Sequence, residues 1–337
     1  MTRHFLTDVD LSPEELERVL NLAEYLKARP YGIRALSGPQ TAAVFFDKTS
    51  TRTRISFAAG ISALGGAPLI VNPGESQLGH KESIADTARV LQRQVSLIIW
   101  RTYAQSGLEE MAEHSAAPVI NALSDDYHPC QLLADLLTIR EHLGGLKGRS
   151  LAYLGDAANN MANSYLLAGV NAGMDVRIAG PQGHLPSEKV VVMARERAQQ
   201  TGGRVTVTTE AVTALQGAEV LATDTWVSMG QEQEKEERMR LFGEYRVDSA
   251  ALSQAAPGAI VLHCLPAYRE AEISAEVIDG PRSVVWDEAE NRLHAQKALM
   301  AWLLVESGRA DAETERLVRQ AEQFGGAVQV EEGGEVR

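Results

Sequence analysis

Apolar positions along this chain follow two alternating patterns. Short, nearly continuous apolar runs fall at Ala42–Phe46, Pro68–Val71, Val95–Trp100 and Pro118–Leu123. Between them, near Arg52–Leu64, Ser83–Leu91 and Leu108–His114, apolar residues recur three or four apart. The runs suit strands buried on both faces and the periodic segments suit helices laid over them, which predicts a parallel sheet flanked by helices. The first helix is expected from Ser12, with Ser12 as cap, Pro13 at the first helical position and Glu15 completing a capping box. Leu16, Val19, Leu20, Ala23 and Leu26 give it one apolar face, and Arg29-Pro30 ends it. Another helix, Ala134–Leu143, stops at Gly144-Gly145, where the domain boundary is expected.

The same alternation then begins again. Strands are predicted at Ser150–Leu154, Val176–Ala179, Val205–Thr208, Val220–Thr223, Ala259–Leu262 and Val284–Trp286. A long helix from about Asn291 to Glu306 follows, apolar enough to pack across both halves. The fold class is therefore α/β, with two similar domains, each a parallel sheet flanked by helices, joined by interdomain helices. Residues 1–145 form the first domain and 146–304 a second, Rossmann-like one. A helix at about 305–324 is expected to pack back on the first, and a Gly- and Glu-rich tail over 325–337 to fray.

Composition narrows the function. With 337 residues, 45% hydrophobic and 23% charged, the chain is ordinary for a globular protein and large enough for two domains. Its 32 Lys and Arg against 45 Asp and Glu leave a net charge of −13, which disfavours nucleic acid or an anionic membrane as partner. A small basic pocket remains compatible with that charge. Two cysteines cannot build a disulfide framework, so a reducing compartment, the cytoplasm, is expected. No apolar stretch reaches the length of a membrane span, and the N-terminus shows neither a signal peptide nor a transit segment.

Candidate chemistry sits where strands end and helices begin. Asp47-Lys48-Thr49-Ser50-Thr51-Arg52-Thr53-Arg54 offers backbone N–H groups, hydroxyls and a guanidinium at one helix start, a cradle for phosphate or carboxylate. It is not the glycine-rich P-loop, and an N-capped helix with a solvated basic turn would read the same. His128-Pro129-Cys130-Gln131 opens another helix, with an imidazole and a carboxamide able to hold a planar carbonyl-and-amine group. Gly155-Asp156-Ala157-Ala158-Asn159-Asn160 stands where a dinucleotide fingerprint would, without its glycines, which argues against NAD. Either asparagine could cap the helix or reach a ligand carboxylate. Asp224-Thr225-Trp226-Val227-Ser228-Met229-Gly230 could receive an ammonium at Asp224, while the charged run Gln231–Arg240 suits a solvated surface. His263-Cys264-Leu265-Pro266 ends a strand with a thiol that is either inert or turned to a crevice. Arg292 suits an ion pair at least as well as a substrate. No metal-binding spacing occurs, so no metal is expected.

In this order the motifs resemble those of the ornithine carbamoyltransferases, within the aspartate/ornithine carbamoyltransferase superfamily, from about Phe45 to Leu304. Leu78-Gly79-His80-Lys81-Glu82-Ser83 and Asp86-Thr87-Ala88-Arg89-Val90-Leu91 belong to the match. The phosphate motif and His-Pro-x-Gln mark the superfamily, and Asp-x-x-x-Ser-Met-Gly with His-Cys-Leu-Pro points to ornithine. The resemblance implies transfer of the carbamoyl group of carbamoyl phosphate to L-ornithine, giving citrulline and phosphate, in arginine biosynthesis or, reversed, catabolism. It implies that Ser50, Thr51, Arg52 and Thr53 grip the phosphate and that Arg101 bridges phosphate and carbonyl oxygen. His128, Gln131 and Arg292 would hold the carbamoyl group with help from backbone at Cys264 and Leu265, and Gln77 would reach a neighbouring subunit's site. Asn160, Asp224, Ser228 and Met229 would bind ornithine, with Cys264 and Asp224 assisting its orientation and deprotonation. No cofactor is implied, and homotrimers or multiples of trimers, with sites at subunit interfaces, are expected. Aspartate as acceptor would call for cations where Asp224 stands. Putrescine lacks the carboxylate that Asn160 and Met229 would meet, and N-acylated ornithine lacks the charge. A non-catalytic relative would not need every one of these positions filled.

Overall fold

Burial of the apolar runs produces two separate sheets, each with every strand paired in parallel. The computed structural model describes residues 2–75, 82–227 and 234–324. The first sheet holds β1 (Thr41–Phe46), β2 (Ala67–Val71), β3 (Leu97–Arg101) and β4 (Val119–Leu123) in the order β2-β1-β3-β4. The second holds β5 (Ser150–Leu154), β6 (Asp175–Ala179), β7 (Arg204–Thr208), β8 (Val220–Thr223) and β9 (Ile260–His263) in the order β7-β6-β5-β8-β9. The chain reverses its direction of advance between β1 and β3, and again between β5 and β8. In open parallel sheets, ligands bind outside the carboxyl ends of strands at such reversals.

The helices of the first half are α1 (Pro13–Ala28), α2 (Thr51–Ala63), α3 (Ile84–Leu91), α4 (Gln105–Glu113) and α5 (Pro129–Leu143). Then come α6 (Asn160–Asn171), α7 (Glu188–Thr201), α8 (Ala211–Leu215), α9 (Lys235–Leu241), α10 (Ser249–Gln254) and α11 (Ala275–Ile278). Last are α12 (Val285–Glu306) and α13 (Ala312–Ala321). The capping box at α1 forms as its sequence dictates: Glu15 N–H donates to Ser12 Oγ at 3.2 Å, and Ser12 N–H to Glu15 Oε2 at 2.8 Å. α5 and α12 join the halves. Pro129 through Ile139 is buried without a break, and Leu136, Leu137, Met161, Leu166, Leu299 and Leu303 belong to one apolar core that runs through both sheets' helices. Joining the halves in this way fixes how the two crevice walls face each other.

Two expectations are corrected. Val284–Trp286 is no strand: Ser283 alone bridges Val261, and the chain enters α12 at Val285. Three apolar residues are too few to fix a period, and Asp287 and Glu288 in the first turn favour a helix start. The segment around 305–324 is not one helix, because Gly308 turns the chain at φ +64° before Asp311 caps α13. α13 lies against α1, where Asn21 Nδ2 donates to the Glu322 carbonyl at 2.9 Å and Tyr25 meets Phe324 edge-on. The tail 325–337, and with it Gln77, Ser228 and Met229, falls outside the described residues.

Candidate active site

The loops after β1, β3, β4, β5, β8 and β9 meet in one crevice between the sheets. Its first wall is basic. Ser50 caps α2, accepting from Thr53 N–H at 3.2 Å and donating to Thr53 Oγ1 at 3.0 Å, which leaves the positive helix end facing the crevice. Arg101 ends β3, and burial followed by the neighbouring Arg292 guanidinium lowers its pKa to about 10. Its Nε, shut away from water, has no hydrogen-bond partner among the described residues. Arg292, in the second turn of α12, donates to Gln131 Oε1 and, at 3.2 Å, to Thr53 Oγ1. With the Gln296 amide turned so that both its ends are satisfied, its oxygen also accepts from Arg292 Nε and Nη2 at 3.2 Å. A guanidinium whose contacts are mostly neutral oxygens keeps its charge available to an anion.

His128 stands at the start of α5. Burial, then Arg292, Arg101 and Arg52, push its pKa well below the usual histidine value, so the ring is neutral at physiological pH. Its Nδ1 has no partner among the described residues. Its backbone is pinned instead: His128 N–H donates to Ser164 Oγ at 2.8 Å, and that hydroxyl donates to Asp8 Oδ2 at 2.6 Å. Burial raises the Asp8 carboxyl to about 8.

The second wall is acidic. Asp224 leaves β8 and accepts from Thr225 N–H at 2.7 Å and from the Cys264 thiol at 3.2 Å. Burial raises both groups, and the Asp224 charge raises the thiol further, so Cys264 stays protonated and donates. Leu265 adopts φ +56°, a strained setting for a side chain branched beyond Cβ. Its N–H donates to His263 Nδ1 at 2.9 Å, while His263 Nε2 meets Glu272 Oε1 at 3.1 Å. Asp224, His263 and Cys264 present atoms within 4.8 Å of one another, as a metal site would. Both ring nitrogens of His263 are engaged elsewhere, which leaves it no lone pair for a cation. A cavity of about 380 Å³ opens beside this wall, lined by Thr225, Trp226, Val227 and residues 268–272. A larger cavity, about 940 Å³, lies at the amino ends of β5 and β6 and is lined by none of the candidate site residues.

The two walls are joined. Arg52 Nη2 donates to the Leu265 carbonyl at 2.7 Å, Leu265 follows Cys264, and Cys264 reaches Asp224. Ser50, Thr53, Arg52, Arg101, His128, Gln131, Arg292, Cys264, Leu265 and Asp224 are thereby brought together. Thr51 is the exposed first residue of α2. Asn159, not Asn160, caps α6, accepting from Ala162 N–H at 2.9 Å, so Asn160 is free of that task. Asn160 Nδ2 donates to the Ser124 carbonyl of the first half at 2.8 Å. One expectation fails within the charged run: Arg238 is buried, pairing with Asp156 and donating to the Trp226 carbonyl, so α9 is clamped on the second wall. Sequence reading missed Asp135 and Glu288, both fully buried behind Gln131. Asp135 lies four residues after Gln131, and Glu288 four before Arg292. That i, i+4 spacing was the available signal.

Comparison with known proteins agrees with this geometry. The family model for the carbamoyl-P binding domain of aspartate/ornithine carbamoyltransferases matches residues 3–141, and that for the Asp/Orn binding domain matches 147–303. The ornithine carbamoyltransferase of Renibacterium salmoninarum is 69% identical over 313 residues, covering 91% of this chain and 100% of the relative. That of Clavibacter michiganensis is 63% identical over 307 residues, with 91% and 100% covered. The solved ornithine carbamoyltransferase of Pyrococcus furiosus superposes with a TM-score of 0.86 at 45% identity, covering 89% of this chain and 96% of that one. Similarity at this level, over nearly the whole length of each relative, places the chain among the ornithine carbamoyltransferases of the aspartate/ornithine carbamoyltransferase family.

Proposed function

We propose that this chain transfers the carbamoyl group of carbamoyl phosphate to the δ-amine of L-ornithine, releasing L-citrulline and phosphate. The observation that carries the residue assignment is the single crevice with Arg52, Arg101 and Arg292 on one wall and Asp224 with Cys264 on the other. In this reading the phosphate sits at the N-terminus of α2, held by Ser50, Thr51, Arg52 and Thr53. Arg101 spans phosphate and carbonyl oxygen. Neutral His128 donates a ring N–H to the carbonyl oxygen, Arg292 adds charge to it, and Gln131 accepts from the carbamoyl amino group. Preorganised donors aimed at charge that grows in the transition state are worth about 10²–10³ in rate each. The first half thus takes carbamoyl phosphate and the second takes ornithine.

At the far wall, Asp224 receives the amino-acid end and Asn160 its carboxylate, with Ser228 and Met229 completing the contact. An alkyl ammonium ordinarily titrates near ~10, so the nucleophile is scarce at neutral pH and turnover rises with pH through one ionisation. Cys264, a protonated donor held on Asp224, orients the incoming amine. Gln77 reaches into a neighbouring subunit's site, in a homotrimer or a multiple of trimers. Two cysteines, too few for a disulfide framework, support a cytoplasmic location.

The test is citrulline formation from carbamoyl phosphate with a panel of ornithine, putrescine, aspartate and N-acetylornithine. Ornithine alone should support turnover. R52A should lose calorimetric binding of carbamoyl phosphate at millimolar concentration, and near-normal binding would refute the phosphate assignment.

A further inference from the structure

We infer that Asp135 and Glu288 are positioning residues that lock the Gln131 amide with its oxygen towards the crevice, so that the site accepts the amino group of a carbamoyl compound and rejects a methyl group in its place. The inference deepens, and rests on, the reading of Gln131 as a contact of the carbamoyl amino group.

The two acids come from different elements, Asp135 from α5 and Glu288 from the first turn of α12, and neither is exposed. A carboxamide nitrogen carries two hydrogens. Gln131 Nε2 gives one to Asp135 Oδ1 at 2.8 Å and the other to Glu288 Oε1 at 3.0 Å. With both hydrogens committed, the amide cannot turn over. Its oxygen is left facing Arg292, which donates to it, and a second lone pair remains for a substrate N–H. The reversed amide would set an NH₂ group against the guanidinium and a carbonyl against two carboxyl groups, so the network admits one orientation.

Glu288 is itself held. Its Oε2 accepts from His263 N–H at 2.8 Å, at the end of the strand that leads to Cys264 and Leu265. Burial raises both carboxyls, Asp135 to about 6 and Glu288 well above its usual range, and neighbours this close do not ionise together. Burying two acids is costly, and apolar residues of similar size would serve packing alone at least as well. What apolar residues could not do is accept both N–H groups of Gln131. A site built to hydrogen-bond an amine discriminates strongly against an analogue without one.

The experiment compares two stable ligands on the full chain by calorimetry: phosphonoacetamide, which carries the amide NH₂, and acetonylphosphonate, which carries a methyl there. Wild type should favour the amide by roughly tenfold or more, the worth of one well-made hydrogen bond plus the cost of leaving its partner unpaired. E288Q is isosteric but offers one acceptor for two donors, and its preference should fall to about one to threefold. D135L should fall likewise, and D135N, which keeps the acceptor for Gln131, should restore the preference to within about threefold of wild type. Binding of inorganic phosphate reports an intact fold in each variant, and either arm suffices if one variant fails to fold. A wild-type preference retained in E288Q or D135L, or a D135N no better than D135L, overturns the inference. Wild type binding both ligands equally overturns the lock alone, whereas wild type binding neither overturns the substrate reading beneath it.

Discussion

Arg101 offers the sharpest test of the basic wall. Its guanidinium has no ion pair among the described residues, its Nε is buried without a partner, and two further guanidinium groups, Arg292 and Arg52, bear on it. Holding it near 10 against an ordinary 12.5 corresponds to ~3 kcal/mol. The sign is that of a base whose folded pKa lies below its unfolded one. Below both values the group is charged in both states and the full penalty applies, and only above about 10 is it relieved. Water at the crevice mouth screens part of this, so Arg101→Met should stabilise the empty protein at pH 7.5 by about 1–3 kcal/mol. In a chain of this length that is a rise in melting temperature of about 1–4 °C. An anion bound in the wild type reverses the account: phosphonoacetamide at a hundredfold its Kd adds about 2.7 kcal/mol. The variant should lose most of that increment. The assay is a thermal melt of both proteins, monitored by tryptophan fluorescence, with and without ligand. A variant that melts at or below the wild type when empty, or that keeps the wild-type ligand shift, would refute the reasoning.

Asp224→Asn removes the charge that, after burial, most disfavours the Cys264 thiolate, so iodoacetamide should label Cys264 several-fold faster at pH 8 in D224N than in wild type. Peptide mass mapping separates it from Cys130, whose thiol is fully buried and pushed up to about 12. Equal labelling rates would show that Asp224 does not govern the thiol. Cys264→Ala should raise the KM for ornithine while leaving carbamoyl phosphate binding within about threefold, because its thiol hydrogen-bonds Asp224 and no lysine or arginine among the described residues. Unchanged constants for both substrates would count against it. Lys297, 1% exposed, donates to the Leu26 and Pro30 carbonyls, and burial lowers its pKa to about 8. The unfolded chain binds the extra proton between about 8 and 10.5, so wild-type stability should gain on Lys297→Met by roughly 2 kcal/mol between pH 7 and 9.5, and a pH-independent difference would refute it.

Legibility in the sequence followed the kind of signal each residue gives. The parallel sheets could be read because strands buried on both faces leave near-continuous apolar runs, and the crevice because chemistry-bearing residues crowd the strand ends: Ser50 after β1, Asp224 after β8, Cys264 after β9. Val284–Trp286 misled because three apolar residues carry no period. Asp135 and Glu288 were passed over for a different reason. Periodicity separates buried from exposed faces by hydrophobicity, so an acid buried for the sake of a neighbour's amide reads as surface. Asp135 stood out only in sitting among Leu132, Leu133, Leu136 and Leu137 on a helix with no polar face there. Arg238 was hidden in the same way, its burial depending on Asp156 eighty-two residues away. Asn159 and Asn160 could not be told apart because both types cap helices, and only the backbone decides which stands at the cap.

Arg52 then accounts for why a site of this chemistry is built from two halves. Its guanidinium sits at the mouth of the crevice, one N–H already given to the Leu265 carbonyl of the opposite wall. Five donors in a planar fork allow it to keep that bond and still grip an anion at the N-terminus of α2. A charge-assisted bond to phosphate is about twice as strong as a neutral one, so an anion there orders Arg52 rather than competing it away. Leu265 is held at a left-handed φ and follows Cys264, whose thiol rests on Asp224, so the bond from Arg52 ends one residue from the acidic wall. A single-domain pocket could place a cation and an acid equally close. Here they stand on separate sheets, joined by one exposed side chain and two buried helices, so the Arg52 bond to the Leu265 carbonyl is a direct polar link between the two walls.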